Sequence, residues 1–254
     1  MPLVDLIIVS SICSKKQEDN LSSVIKSLDK HIFSSKYILF DGAPPSQLKV
    51  DYERYIKYKK YYSVNYPDFK IIENLDCLYY RNNLEKFIRG NFDGLAENLL
   101  IIQDDIILND FDLKTVLESK ALFSECKILY FREDRLRCNH WFNEVHPSEG
   151  AGFNEIGSCG ANESQDLIKK HGWNEKAYLI TKDNLIEILD NLPIAGGSQK
   201  QGKFIHSYYQ NMMKRKTWQT ITEEEQLDYW KQWGCYEHKT IHHKHLSTKR
   251  SSFT

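Results

Sequence analysis

Residues 99–110 of the chain read LLIIQDDIILND. Four aliphatic residues lead directly into Gln103, Asp104 and Asp105, and three more aliphatic residues follow. An ionised carboxylate is costly to bury without a partner, so two adjacent acids between apolar runs need either solvent or a cation. This pattern predicts a buried strand that ends near Ile102, with both acids at the point where the strand leaves the sheet. A pair of solvated acids that begins a turn is the simpler alternative.

Similar apolar runs alternate with helical patterns through the first half of the chain. The predicted strands end at Val9, Phe40, Glu73, Ile102 and Phe131. This alternation favours an α/β fold in which helices cover both faces of a mostly parallel sheet. Ligands of such sheets bind at the carboxyl ends of the strands, where Asp41 and the acids after Ile102 are expected to lie. A helix is also predicted after residue 112, with Asp112 as its cap.

The composition of the 254 residues narrows the class of protein. The chain is 41% hydrophobic and 27% charged, which is typical of a globular domain. Its formal net charge of -1 argues against a nucleic-acid-binding protein. No apolar run reaches the roughly 18 residues of a membrane span. The 6 cysteines are scattered without a CxxC motif, so we expect reduced thiols and a cytoplasmic location.

Four features in a fixed order resemble the GT-A glycosyltransferases, in particular their large family-2-like group. They are an opening strand with a small polar loop (LIIVSSICSKKQEDNLSSVIKSL), Asp41 after the second strand, Arg81-Asn82 at a helix start, and LLIIQDD at the end of a later strand. The resemblance covers residues 3–108. It implies a Rossmann-like GT-A fold and an enzyme that uses nucleotide sugars. Gln103 departs from the family, which often places the first acid of its DxD-type motif there.

The resemblance also implies roles for individual residues at the donor site. Those expected to contact the nucleotide sugar are Ser10, Ser11, Asp41, Arg81, Gln103 and Asp104. Asp41 would bind the base or ribose, Arg81 a phosphate or the sugar, and Asp104 the ribose or a metal-bound water. The alternatives are a local Asp-Gly turn for Asp41 and a surface position for Arg81.

The resemblance implies that Asp105 binds Mn²⁺ or Mg²⁺ directly, and carboxylate oxygens suit such hard divalent cations. Many GT-A enzymes carry a histidine near the C-terminus that completes the metal shell. In TIHHKHLSTKRSS the best match is His243, followed by His245. Imidazole binds Mn²⁺ well, which supports this assignment independently of the resemblance. A frayed basic tail is the alternative.

A carboxylate that accepts a proton from the attacking hydroxyl is needed if the enzyme inverts configuration. In the resembled family this base follows the DxD strand, and Glu163 and Asp166 are the candidates here. Most acids in a loop are merely solvated, and a retaining enzyme does not require such a base. With Asp104 and Asp105 they form the predicted catalytic set.

The sequence therefore predicts a single domain over residues 1–254. Residues 1–134 would form its nucleotide-sugar-binding half, and residues 135–254 its acceptor-binding half and tail. The expected reaction moves a sugar from a nucleoside diphosphate sugar, preferably UDP-linked, to a glycan or another hydroxyl acceptor. Two alternatives stay open. A nucleotidyltransferase would normally have a glycine-rich loop after the first strand, which SSICSKKQ lacks. A catalytically silent nucleotide-sugar-binding module is favoured by Gln103.

Overall fold

The computed structural model describes residues 3–10, 15–41, 52–74, 78–122, 126–133, 167–169, 176–191 and 235–246. The first elements are β1 (Val4–Ser10), α1 (Lys15–Leu28), β2 (Ser35–Phe40), α2 (Tyr52–Asn65), β3 (Phe69–Glu73), α3 (Tyr79–Asn91), a 3₁₀ turn (Phe92–Gly94) and β4 (Asn98–Gln103). They are followed by β5 (Ile106–Asn109), α4 (Leu113–Ala121), β6 (Ile128–Glu133), β7 (Leu167–Lys169), β8 (Ala177–Thr181), α5 (Lys182–Asn191) and β9 (Cys235–His245). None of the helices within these ranges is both long and apolar enough to cross a membrane.

The strands of the described ranges form a nine-stranded sheet in the order β3-β2-β1-β4-β8-β6-β9-β5, and β7 pairs with β9. The neighbours β3, β2, β1 and β4 are all parallel to one another. Strands β6 and β9 run in the same direction as these four, whereas β5, β7 and β8 run in the opposite direction. The predicted fold class, a mixed and mostly parallel sheet flanked by helices, is therefore confirmed.

The strands at the centre of the sheet are buried on both faces. In β1, Leu6 and Ile8 pack in the same core as Leu21 of α1, whereas Ile7 packs on the opposite face with Leu84 of α3. Successive side chains of a strand point to opposite faces, so a strand covered on both sides needs a continuous apolar run. Asp5 interrupts this run at little cost, because its Oδ2 accepts a hydrogen bond of 2.9 Å from the amide of Ala96.

The sheet must curl, because β4 and β5 are four strand positions apart and are joined only by Asp104 and Asp105. Four strand spacings amount to about 19 Å in a flat sheet, whereas a two-residue connection reaches only about 10 Å. The far end of the sheet returns toward α1, against which β5 packs. Ile106 and Leu108 of β5 consequently join the core that contains Leu21. This curl brings the end of β9 to the acids that follow β4.

The predicted strand ends agree with the structure to within two residues. The predicted cap of α4 is also confirmed, since Asp112 Oδ2 accepts hydrogen bonds from the backbone amide and the hydroxyl of Thr115 at 3.0 Å and 2.6 Å. The local sequence pattern did not identify β5 as a strand. The C-terminal strand β9 is an eleven-residue element of the sheet.

Candidate functional site

The carboxyl ends of three neighbouring parallel strands form the core of the candidate site. Strand β1 lies between β2 and β4, so Ser10 lies between the first residues that follow the other two strands. The amide of Asp41 donates a 2.9 Å hydrogen bond to the carbonyl of Ser10, and the amide of Asp104 donates one of 3.1 Å to the carbonyl of Val9. The backbone therefore brings three predicted site residues, Ser10, Asp41 and Asp104, to one edge of the sheet.

The two adjacent acids have different partners. Ser10 Oγ donates a hydrogen bond of 2.6 Å to Asp104 Oδ2. Asp105 Oδ2 lies 3.2 Å from His245 Nε2 instead. The second contact depends on the β5–β9 ladder, in which His245 pairs with Ile106 and the amide of Leu246 donates to the carbonyl of Asp105 at 2.8 Å. Residues far apart in sequence thus form a carboxylate–imidazole pair.

The Asp105–His245 pair fits a divalent cation. Asp105 Oδ1 is buried and has no hydrogen-bond partner, which leaves a carboxylate oxygen in need of a cation or another donor. Carboxylate oxygen and imidazole nitrogen are both suitable ligands for Mn²⁺. Within the described ranges, no group of three or more His, Cys, Asp or Glu side chains is arranged to hold a metal ion. The described chain therefore offers two protein ligands, and further ligands would have to come from a bound substrate or water.

The two candidate histidines occupy different environments. His243 is fully buried, and its Nδ1 contacts the carbonyl oxygen of Phe131. His245 keeps 16% side-chain exposure and lies beside Asp105. The frayed-tail alternative does not describe residues 235–245, because they form a strand that pairs with β5, β6 and β7. The structure thus brings His245, the second choice from the sequence, beside Asp105, which is the predicted direct metal ligand.

Asp41 and Arg81 both lie at the start of α3. Asp41 Oδ1 accepts a 2.7 Å hydrogen bond from the amide of Leu78, the residue immediately before the helix. Arg81 lies in the first turn of α3 and is only 4% exposed, so it is not a surface arginine. Because Asp41 is also buried, both charged groups lie inside this edge of the sheet. Asp41 has a long-range backbone partner in addition to any local turn contact.

A contact between two buried asparagines, Asn74 after β3 and Asn83 in α3, was not identified from the sequence. Asn74 follows β3, and its Nδ2 donates a hydrogen bond to Oδ1 of Asn83. Lys86 Nζ donates to Asn74 Oδ1 at 2.8 Å. Asn83 is fully buried and its Nδ2 has no hydrogen-bond partner. Two asparagines at a strand end and in the following helix were the available signal, but only Asn82 entered the sequence argument.

Four predicted site residues remain, and the structure describes one of them, Gln103. Gln103 ends β4, and its amide donates a 2.9 Å hydrogen bond to the carbonyl of Lys176, just before β8. Its side chain is half-buried. Ser11, Glu163 and Asp166 lie outside the described residues, so their predicted roles stay predictions.

Comparison with solved structures identifies the fold. The structure of GalNAc-T7 with UDP, GalNAc and Mn²⁺ matches with a TM-score of 0.51 and 10% identity, over 96% of this chain and 44% of that chain. The mannosyltransferase PcManGT from Pyrobaculum calidifontis, in complex with GDP-Man and Mn²⁺, matches with a TM-score of 0.47 and 10% identity, over 78% of this chain and 50% of that chain.

The galactosyltransferase LgtC, in complex with donor and acceptor sugar analogs, gives a TM-score of 0.43 and 9% identity, over 92% of this chain and 72% of that chain. The chain thus spans about half the length of two of these three proteins. No family model and no curated protein matches the sequence. At such low identity the likeness concerns the fold, and of these three matches the one to GalNAc-T7 supports it. The chain has the GT-A fold of nucleotide-sugar glycosyltransferases.

Proposed function

We propose that the chain is a metal-dependent glycosyltransferase that moves a sugar from a nucleoside diphosphate sugar, preferably UDP-linked, to a hydroxyl of a glycan or another acceptor. One observation carries the proposal. At the carboxyl edge of the sheet, Asp105 lies 3.2 Å from His245, and the second oxygen of Asp105 is buried without a hydrogen-bond partner. A carboxylate and an imidazole arranged in this way suit a cation next to a diphosphate.

Asp105 and His245 would hold Mn²⁺ or Mg²⁺ at this edge. When bound, the cation would neutralise charge on the departing diphosphate. Asp104, which Ser10 holds by a hydrogen bond, would bind the ribose or a metal-bound water. These assignments give the adjacent acids separate tasks, in keeping with their separate partners.

The nucleotide would extend from Asp104 toward α3. Asp41 would bind the base or ribose while also holding the amide before α3. Arg81, buried in the first turn of that helix, would bind a phosphate or the sugar. A guanidinium suits this task because it can form two parallel hydrogen bonds to phosphate oxygens.

Residues 135–254 would provide the acceptor side, with Glu163 or Asp166 accepting the proton of the attacking hydroxyl. The division into two functional halves is not strict, because His245 of the C-terminal segment lies beside Asp105. We therefore place the end of β9 in the donor site and the preceding part of this half around the acceptor.

A catalytically silent binding module of the same fold is the second candidate. Two observations favour it: Gln103 replaces an acid, and the described residues offer only two side chains at the metal position. Such a module would bind a nucleoside diphosphate with its metal but would not release UDP from a UDP-sugar. Binding and turnover therefore have to be measured separately.

Isothermal titration calorimetry with UDP, with and without Mn²⁺, tests the binding step. We expect UDP to bind wild-type protein measurably only with Mn²⁺. Asp105→Asn is expected to lose this Mn²⁺-dependent binding. Asp110→Asn is a matched control, because Asp110 is exposed and has a φ of 53°, a conformation that asparagine also tolerates. Equal UDP affinity with and without Mn²⁺, or no binding, would contradict the proposal. UDP release from UDP-sugars then distinguishes the enzyme from the silent module.

A further inference from the structure

Ser10 connects the ends of three strands through two separate groups. Its carbonyl accepts the amide of Asp41, which follows β2, at 2.9 Å. Its hydroxyl donates to Asp104 Oδ2, after β4, at 2.6 Å. Strand β1 lies between β2 and β4, so one residue holds a backbone group on one side and a carboxylate on the other. The carbonyl contact is available to any residue, whereas the hydroxyl contact requires the serine side chain.

The hydroxyl contact is short and shielded from water. Ser10 is only 2% exposed, and Asp104 is half-buried. Hydrogen bonds from a hydroxyl to a carboxylate are shorter and stronger than those between neutral groups. Shielding strengthens the contact further, since water competes less for the carboxylate oxygen. The bond therefore restricts rotation of the Asp104 carboxylate and fixes the direction in which its other oxygen points.

We propose that Ser10 is a positioning residue that orients the Asp104 carboxylate for the bound nucleotide, and does not itself contact the nucleotide. This inference rests on the proposed function and deepens it. The resemblance implies only that Ser10 lines the nucleotide site, whereas the geometry assigns its hydroxyl to Asp104. The consequence is that removal of the hydroxyl acts on binding only while Asp104 is present.

A double-mutant cycle on UDP affinity in the presence of Mn²⁺ tests this dependence. The variants are Ser10→Ala, Asp104→Ala and the combination of both, measured by calorimetry. We expect Ser10→Ala to weaken UDP binding about tenfold, in keeping with the loss of a hydrogen bond to a charged group. Asp104→Ala is expected to weaken binding further, and adding Ser10→Ala to it should change the affinity less than about twofold.

Ser22→Ala is a matched control, because it also removes a hydroxyl, the one 3.1 Å from Tyr62 Oη between α1 and α2. It should leave UDP affinity unchanged. Ser10→Cys keeps a weak donor of similar volume and should bind UDP with an affinity between those of wild type and Ser10→Ala, which covers the case that Ser10→Ala folds poorly.

The outcomes separate this inference from the proposed function. Wild-type affinity in Ser10→Ala, or a full tenfold loss when Ser10→Ala is added to Asp104→Ala, would overturn the positioning role. Wild-type protein that fails to bind UDP with Mn²⁺ would overturn the proposed donor site and this inference with it. An unchanged melting temperature in Ser10→Ala combined with tenfold weaker binding would exclude a purely structural role.

Discussion

The two parts of the sheet are built differently. From β1 to β4, neighbouring strands are parallel and in continuous register, with Ile7 opposite Tyr37 on one side and Ile101 on the other. The part from β5 to β9 combines parallel and antiparallel pairs, and its register shifts between Tyr130 and Arg132. The regular part provides Ser10, Asp41 and Asp104, whereas the irregular part brings His245 to Asp105. The candidate site forms where the two parts meet.

The two parts of the sheet therefore contribute differently to the candidate site. A parallel sheet buried on both faces places strand ends reproducibly, which suits residues that line a ligand. The curl of β9 and β5 then brings a distant histidine to the last of the acids. We therefore expect substitutions in the irregular part to affect either metal binding or stability, and substitutions in the regular part to affect both more often.

The largest expected effect comes from Asp105→Asn, at the junction of the two parts. We expect UDP affinity in the presence of Mn²⁺ to fall more than about 100-fold. Loss of a residue that only supports a metal ligand already lowers metal affinity by up to about 100-fold, and Asp105 is expected to be a ligand itself. The melting temperature should stay near that of wild type, because the substitution mainly alters the contact with His245. Calorimetry and thermal unfolding on the same sample measure both. Wild-type affinity for UDP with Mn²⁺ in this variant would mean that the metal lies elsewhere.

The histidines of β9 should respond in opposite ways. His243→Ala leaves a cavity and removes the contact with the carbonyl of Phe131, so we expect the free energy of unfolding to fall by about 2–4 kcal/mol. His245→Ala should change stability little but should weaken the Mn²⁺ dependence of UDP binding. Urea denaturation and calorimetry compare the two variants. A reversed pattern would make His243 the metal ligand.

The sequence predicted the regular part well because its information is local. Residues 4–10 and 98–103 are apolar enough to identify strands buried on both faces, and Asp41 and Asp104 follow such strands. The irregular part depends on pairing between distant segments. β5 has four residues, and β9 reads CYEHKTIHHKH, which lacks an apolar pattern. Only the curled sheet makes His243 a core residue and gives His245 its place beside Asp105.

A smaller effect is expected from the cap of α4, the helix that follows β5. Asp112→Ala removes both hydrogen bonds to Thr115 and should lower the free energy of unfolding by about 1 kcal/mol. Asp112→Asn retains an acceptor and should restore most of the loss. Urea denaturation followed by circular dichroism measures both variants. Two separate transitions in the wild type would show that the parts of the sheet do not unfold together.

The smallest expected effect concerns His31, whose ring lies 4.9 Å from that of Phe111 and so links the loop after α1 to the segment after β5. Burial, followed by the charge of Lys30, lowers the pKa of His31 from its ordinary 6.5. The unfolded chain then binds the proton more readily than the folded chain, so stability falls as the pH drops below about 6.5.

His31→Gln should therefore lose less stability than wild type between pH 7.5 and pH 5.5, as measured by melting temperatures at both values. Identical acid sensitivity in wild type and His31→Gln would show that burial does not lower the pKa of His31 in the folded chain.

We propose that Asp105 and His245 form the metal position of the donor site. Crystals soaked with UDP and Mn²⁺, measured at a wavelength where manganese scatters anomalously, test it most directly. We expect an anomalous peak within coordination distance of the Asp105 carboxylate and His245 Nε2, with the diphosphate of UDP against it. A peak elsewhere, or UDP bound away from the carboxyl ends of β1 and β4, would contradict it.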